Sequence, residues 1–121
     1  MNNEKTFSIA VMPGDGIGTE IMTPCLEVMA AAIERVGGVQ MDFKTIEAGA
    51  KCYIKNGDAF PQESKDVALT ADAILLGAMG LPTVRYPNGT EIAPQLDLRF
   101  DLGLYAGVRP FRAVPGIPSP L

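Results

Sequence analysis

The sequence predicts an α/β fold built on a parallel sheet, and three observations predict it. Two nearly continuous apolar runs, residues 7–12 and 71–78, have the character of strands buried on both faces, as strands of parallel sheets are. Strand-like and helix-like segments alternate along the chain. The first apolar run ends in Pro13-Gly14-Asp15-Gly16-Ile17-Gly18, a glycine-rich turn that opens a helical segment.

The first strand is expected over 7–12, closed by Pro13-Gly14. A helix follows over about 19–36, with Ile21, Cys25, Met29, Ala32 and Val36 forming one apolar stripe. Glu20 suits the positive end of its dipole. Pro24 should kink the first turns or mark a late start, and Gly37-Gly38 stops the helix. Residues 39–46 alternate apolar and polar, which predicts a strand. A short helix is expected over 48–54, ending at Asn56-Gly57. A second covers 62–70, with Pro61 at its first position. Residues 71–78 are the second fully buried strand. Residues 80–89 form a loop punctuated by Pro82, Pro87 and Asn88-Gly89. A helix over about 91–102 carries Arg99, and a strand over 104–108 delivers Arg109. Pro110, Pro115, Pro118 and Pro120 make the last stretch a connection, since no regular element survives that density.

The chain has 121 residues, enough for one domain that buries about two-thirds of its unfolded surface if it folds alone. Its hydrophobic share of 47% and charged share of 20% are those of a soluble globular protein. The net charge of −4 repels phosphate backbones, so nucleic acid is not an expected partner. No signal-peptide pattern is read, and no stretch is long enough for a membrane. Cys25 and Cys52 lack metal-ligand spacing and are too few for a disulfide framework. The expected setting is a reducing cytoplasm. There is no histidine, which removes Ser-His, Cys-His and His-metal chemistry from this chain.

An anionic substrate would need a local cationic pocket. Arg99 and Arg109 stand ten positions apart across a largely apolar segment. Two converging guanidiniums could receive a dicarboxylate, each holding one carboxylate bidentately. Alternatively Arg99 pairs with Asp97 or Asp101 on a wet surface, where such pairs contribute little. The glycine turn is open in the same way. Its third dinucleotide-fingerprint glycine would fall at Thr19, so that fingerprint fails, and no Gly-Lys-Ser/Thr follows for a P-loop. What remains is either an ordinary strand-to-helix turn or backbone N–H groups facing a ligand.

Taken together, four motifs in order resemble the β-decarboxylating dehydrogenases, the family of isopropylmalate, isocitrate and tartrate/D-malate dehydrogenases. They are Pro13-Gly14-Asp15-Gly16-Ile17-Gly18-Thr19-Glu20, then Ala71-Asp72-Ala73-Ile74-Leu75-Leu76-Gly77-Ala78. Leu98-Arg99 with Leu104-Tyr105-Ala106-Gly107-Val108-Arg109-Pro110 follows, and Pro115-Gly116-Ile117-Pro118-Ser119-Pro120-Leu121 completes the set. The resemblance implies a parallel-sheet sandwich with helices on both faces, of which this chain is the N-terminal portion. It implies a partial first domain over 1–103 and the start of a second domain, with the proline-rich connection, over 104–121.

The implied reaction is oxidation of a 2-hydroxy diacid by NAD or NADP, followed by loss of the β-carboxylate as carbon dioxide, assisted by magnesium or manganese. Arg99 and Arg109 would each grip a substrate carboxylate from opposite sides of a cleft, Arg109 helping to hold the group that leaves. Ile17 would lie against the cofactor. The position seven before the first arginine, a glutamate in isopropylmalate enzymes, is Ile92 here, with Glu91 one step off, and it is assigned to the cofactor. Isocitrate enzymes carry serine and asparagine six and four before that arginine. Here Ala93 and Gln95 stand there, which disfavours isocitrate. Gln95, where isopropylmalate enzymes have leucine, is a substrate-side residue. The Pro-Gly-Ile-x-Ser-Pro-Leu ending is similar to tartrate/D-malate enzymes.

The catalytic tyrosine and lysine, the third substrate arginine, the metal-binding aspartates and the adenine-binding loop of that family all lie beyond Leu121. No catalytic or metal-binding residue is therefore assigned here, and this chain alone is expected to be inactive. A homodimer is implied, as is an unpaired sheet edge that later segments would complete. The competing readings are a free-standing module that binds an anion or a partner subunit, and an inactive α/β fragment.

Overall fold

The computed structural model describes residues 5–118. Its elements run β1 (Lys5–Gly14), α1 (Ile17–Val36), β2 (Val39–Thr45), α2 (Ala50–Asn56), α3 (Gln62–Thr70), β3 (Ala73–Ala78) and α4 (Pro94–Asp101). The three strands form one parallel sheet in the order β2-β1-β3. Ile9 stands opposite Phe43 on one side and Ala73 on the other. The strand made of the first apolar run takes the centre, where both faces are covered.

Side chains of β1 alternate between two cores. Ile9 and Val11 join Met22 of α1, with Phe7, Leu26, Phe43 and Leu75 packed around them. Ala10 and Met12 join Phe60, Ala68 of α3 and Leu98 of α4. Helices thus cover both faces, as the resemblance implied. Val11 and Met12 are fully buried, and each such side chain stabilises the fold by about 1.5–3 kcal/mol.

Several expectations need correction. Helix α1 begins at Ile17, and it runs through Pro24, which marks no late start. Its buried residues are Gly18 and Met22, whereas Ile21 is 47% exposed and Val36 78%. The inward stripe is thus rotated from the expected one, because Gly18 must pack where α1 crosses the sheet. A methyl at Gly18 would collide with the Pro13 carbonyl and the Ala78 backbone nitrogen. Pro61 is the residue before α3, in extended conformation, and not its first helical residue. Helix α2 starts two residues later than expected, at Ala50. Helix α4 starts at Pro94, whose ring suits the first helical position.

Strand β3 is not fully buried. It is an edge strand in this sheet, and Leu76 is 41% exposed. The expected strand over 104–108 does not form. No described strand lies beside it, and backbone without a partner gains nothing from extending. Residues 103–118 are exposed throughout. Ser119, Pro120 and Leu121 of the last motif lie outside the described residues.

Candidate functional site

In open α/β sheets, ligands gather outside the carboxyl ends of the strands. At that end β1 runs into the glycine turn, and Asp15 leaves the strand pointing inward, 1% exposed. Its carboxylate accepts three backbone N–H groups: Ala50 at 2.7 Å and Gly80 at 2.8 Å on Oδ2, and Lys51 at 2.8 Å on Oδ1. Its own N–H donates to the Ala78 carbonyl, and its carbonyl accepts from Gly18 at 2.9 Å. One residue therefore joins the end of β3, the start of α1, the start of α2 and the turn after β3. Two of these amides, Ala50 and Lys51, open α2, where a carboxylate is favoured by the helix dipole. Gly49 makes room for it, since a methyl there would collide with Asp15 Oδ2.

Beyond Gly80, residues 85–91 fold into a small hairpin. An Arg85–Glu91 bridge and the Tyr86 N–H to Thr90 carbonyl bond at 3.0 Å close it. Arg85 also pairs with Glu91 Oε1 at 3.0 Å. Tyr53 of α2 meets Tyr86 edge-on, ring centres 5.1 Å apart, so the hairpin is pinned to α2. Burial, helped by Asp97, raises the Tyr86 phenol above its ordinary pKa. Between the hairpin, the 79–82 turn and α4 lies a cavity of about 220 Å³, lined among others by Gly80, Leu81, Arg85, Glu91, Ile92 and Gln95.

Two of the residues singled out from sequence thus share one cavity. Ile92 forms its wall, but the side chain is 2% exposed and packs with Ala50 and Ala59. Gln95, in the first turn of α4, has its Oε1 buried without a hydrogen-bond partner. Ile17 is 59% exposed at the first position of α1. Arg99, on α4, and Arg109, beyond it, are both exposed, and neither forms an ion pair among the described residues. The surface pairing of Arg99 with Asp97 or Asp101 is therefore not what the chain adopts. The two arginines lie on different segments, and only Arg99 sits on a regular element.

A second hollow, of about 240 Å³, opens between the glycine turn, the end of β2 and α2, with Thr19, Glu47, Lys51, Cys52 and Lys55 in its lining. Glu47 is held below the ordinary carboxylate pKa by the hydrogen bond and charge of Lys55, 2.8 Å away, and Lys55 is raised in turn. Burial pushes the Cys52 thiol up, away from reactive thiolate. No group of three or more His, Cys, Asp or Glu side chains that could hold a metal occurs among the described residues. No described helix is long and apolar enough to cross a membrane.

Asp15 is the residue that sequence reasoning passed over. The signal was present: a short acidic side chain between two glycines, at a strand's end and a helix's start, is placed to accept backbone N–H groups.

Comparison with known proteins agrees with this fold. Residues 8–121 match the family model of isocitrate/isopropylmalate dehydrogenase. The chain is 40% identical over 118 residues to a 3-isopropylmalate dehydrogenase of Thermobifida fusca (strain YX), covering 97% of this chain and 32% of that protein. It is 37% identical over 117 residues to the 3-isopropylmalate dehydrogenase of Bifidobacterium longum (strain DJO10A), covering 97% and 33%. Among solved structures it is similar to the apo form of a β-decarboxylating dehydrogenase from Thermococcus kodakarensis. The TM-score there is 0.65 and the identity 33%, over 82% of this chain and 27% of that one. The chain spans about a third of the length of the curated relatives it matches.

Proposed function

The chain belongs to the isocitrate/isopropylmalate dehydrogenase family, and on that premise we propose that it contributes the N-terminal part of an NAD(P)-dependent enzyme that oxidatively decarboxylates a 2-hydroxy diacid, isopropylmalate-like. The observation that carries this reading is the state of the two arginines. In a chain of net charge −4, Arg99 and Arg109 are exposed and form no ion pair among the described residues, which suits them to carboxylates.

The residues present fit a dinucleotide. Gly16 is open, a methyl there meeting only Leu81 Cδ2 at 3.9 Å, and Ile17 offers an apolar surface beside it. No donor set for Mg²⁺ or Mn²⁺ occurs among the described residues, and the resemblance puts the metal's ligands outside them. When bound, a nicotinamide dinucleotide supplies a hydride acceptor, and Mg²⁺ or Mn²⁺ supplies Lewis-acid polarisation.

The work of this chain is binding and orientation. Arg99 fixes one carboxylate from α4. Arg109 fixes the carboxylate that leaves, and the two contacts set the direction in which the diacid's C2–H bond points. Held in this way, the reacting groups avoid most of the entropic cost of meeting.

One observation favours a tartrate/D-malate-type substrate as the second reading. Gln95 Oε1, which has no hydrogen-bond partner among the described residues, would be satisfied by the second hydroxyl of a tartrate-like substrate if the amide turned into the cavity. The domain division at 103–104 and a homodimer are part of the same proposal. They are supported by the run of exposed apolar side chains Leu104, Tyr105, Val108 and Phe111, which calls for a covering surface. A cytoplasmic location suits a metabolic enzyme with free Cys25 and Cys52. The test is reduction of NAD or NADP by the full-length protein with 3-isopropylmalate, tartrate and D-malate in the presence of Mn²⁺, with release of carbon dioxide measured in parallel.

A further inference from the structure

We propose that the outer edge of β2 is a self-association surface, on which a second copy of this chain pairs antiparallel about Phe43. The proposal is independent of the reaction assigned above.

Strand β2 is the outermost strand in the order β2-β1-β3. Val11 stands opposite Thr45, and the Ile46 N–H donates to the Val11 carbonyl at 2.9 Å. The backbone groups of the even-numbered residues of β2 therefore face β1. Those of Met41, Phe43 and Thr45 face away, because successive residues of a strand aim their N–H and C=O groups to opposite sides. None of the three is hydrogen-bonded on that side among the described residues. Side chains alternate too. Met41 and Phe43 are half-buried against the α1 core and line a hollow of about 430 Å³ with Ala30, Ile33 and Val39. Asp42 and Lys44 lie on the other face, exposed, and form no ion pair among the described residues.

The order of these charges selects the occupant. When two identical strands pair antiparallel, the residue on the two-fold axis sets the register. Centred on Phe43, the pairing puts Asp42 of each copy opposite Lys44 of the other. Centred on Asp42 or Lys44, it puts like charges face to face, which is destabilising. Centred on Met41 it puts Asp42 against Gln40, and centred on Thr45 it puts Lys44 against the buried Ile46. The Phe43 register also makes Phe43 a hydrogen-bonded pair with its copy, and Met41 one with Thr45, so the outward N–H and C=O groups of all three are satisfied. Asp42 and Lys44 then fall at the non-hydrogen-bonded positions, where facing side chains stand closest. A row of lysines blunts a sheet edge by repelling a copy. An aspartate and a lysine placed symmetrically about Phe43 attract one. The other edge strand, β3, has no charged residue over Ala73–Ala78 and carries no such signature.

The test is sedimentation of the full-length protein over a range of concentrations, with hydrogen exchange measured beside it. Wild type is expected to pass to a species of twice the mass of the one present at dilution. Exchange at the Met41, Phe43 and Thr45 amides should slow as that species forms. Lys44→Glu makes both charge pairs repulsive and should raise the dissociation constant of this step about tenfold. Asp42→Lys combined with Lys44→Asp exchanges the charges and should return it to within about threefold of wild type, a rescue that damage to the fold would not give. Thr45→Pro removes an outward N–H, spares the ladder to β1 and should abolish the step. The exposed run from Leu104 to Phe111 is a different surface, so association through it is untouched by these substitutions. Association that ignores all three variants, or none at any concentration, would overturn the proposal. Slow exchange at the three amides at dilution would also overturn it, because another segment of the chain would then occupy the edge.

Discussion

Ser8 and Asp72 tie the first strand to the start of the third by a closed set of hydrogen bonds. The Ser8 N–H and hydroxyl both donate to Asp72 Oδ2 at 2.8 Å, and the Asp72 N–H donates back to Ser8 Oγ at 3.0 Å. The pair stands just before the Ile9–Ala73 match in the β1–β3 register, so it fixes that register where β3 enters the sheet.

These bonds hold Asp72 below its ordinary value of 3.8, the backbone donor of Ser8 contributing most and the Ser8 hydroxyl next. A carboxyl group with a depressed folded pKa stabilises the fold above its unfolded pKa. That contribution is lost as pH falls through the lower folded value. Asp72→Asn should therefore lower Tm at about pH 7, and the gap to wild type should close below about pH 4. Thermal melts of both proteins across that range make the check, and a gap that is constant with pH would contradict it.

Gly18 tests the packing of α1 on the sheet. An alanine there meets the Pro13 carbonyl and the Ala78 backbone nitrogen, neither of which can move aside as a side chain could. Gly18→Ala should cost about 1–3 kcal/mol, as overpacking of rigid cores does. Urea unfolding would show this as a lower midpoint with an unchanged slope.

Arg99 and Arg109 should behave in the opposite way. Both are exposed and outside any ion pair among the described residues, so Arg→Lys at either position should leave Tm unchanged. Loss of a bidentate, charge-assisted contact should lower kcat/KM for the diacid by about 10- to 100-fold. Steady-state kinetics beside a melting curve separates the two effects.

Gln95→Leu should shift substrate preference. It removes a buried acceptor that lacks a donor, which should leave stability unchanged or raise it by up to about 1–3 kcal/mol. The ratio of kcat/KM for 3-isopropylmalate over tartrate should rise, because an apolar wall favours an isopropyl group over a hydroxyl.

Much of this was legible in the chain. The apolar run of β1 declared a buried strand, because a strand without a polar face lies between two layers. Gly37-Gly38 and Asn56-Gly57 marked helix ends because few other residues adopt what the chain needs there. The exposure of β3 was not legible, since 71–78 reads as buried whether or not a further strand lies beside it. The strand over 104–108 failed for the same reason: pairing is decided by a neighbour, and a sequence window contains no neighbour. Of the candidate site, the glycine turn, Ile92, Gln95 and the arginines were singled out by motif. Asp15 was missed because its role depends on amides 35 and 65 positions away, which no local pattern records.

The proposed oxidative decarboxylation is tested most directly by counting both products of one turnover in the full-length protein, reduced dinucleotide by absorbance and carbon dioxide by trapping, with a 2-hydroxy diacid and Mn²⁺. One carbon dioxide is expected for each dinucleotide reduced. Reduced dinucleotide without carbon dioxide, or neither product with any of the three diacids, would contradict it.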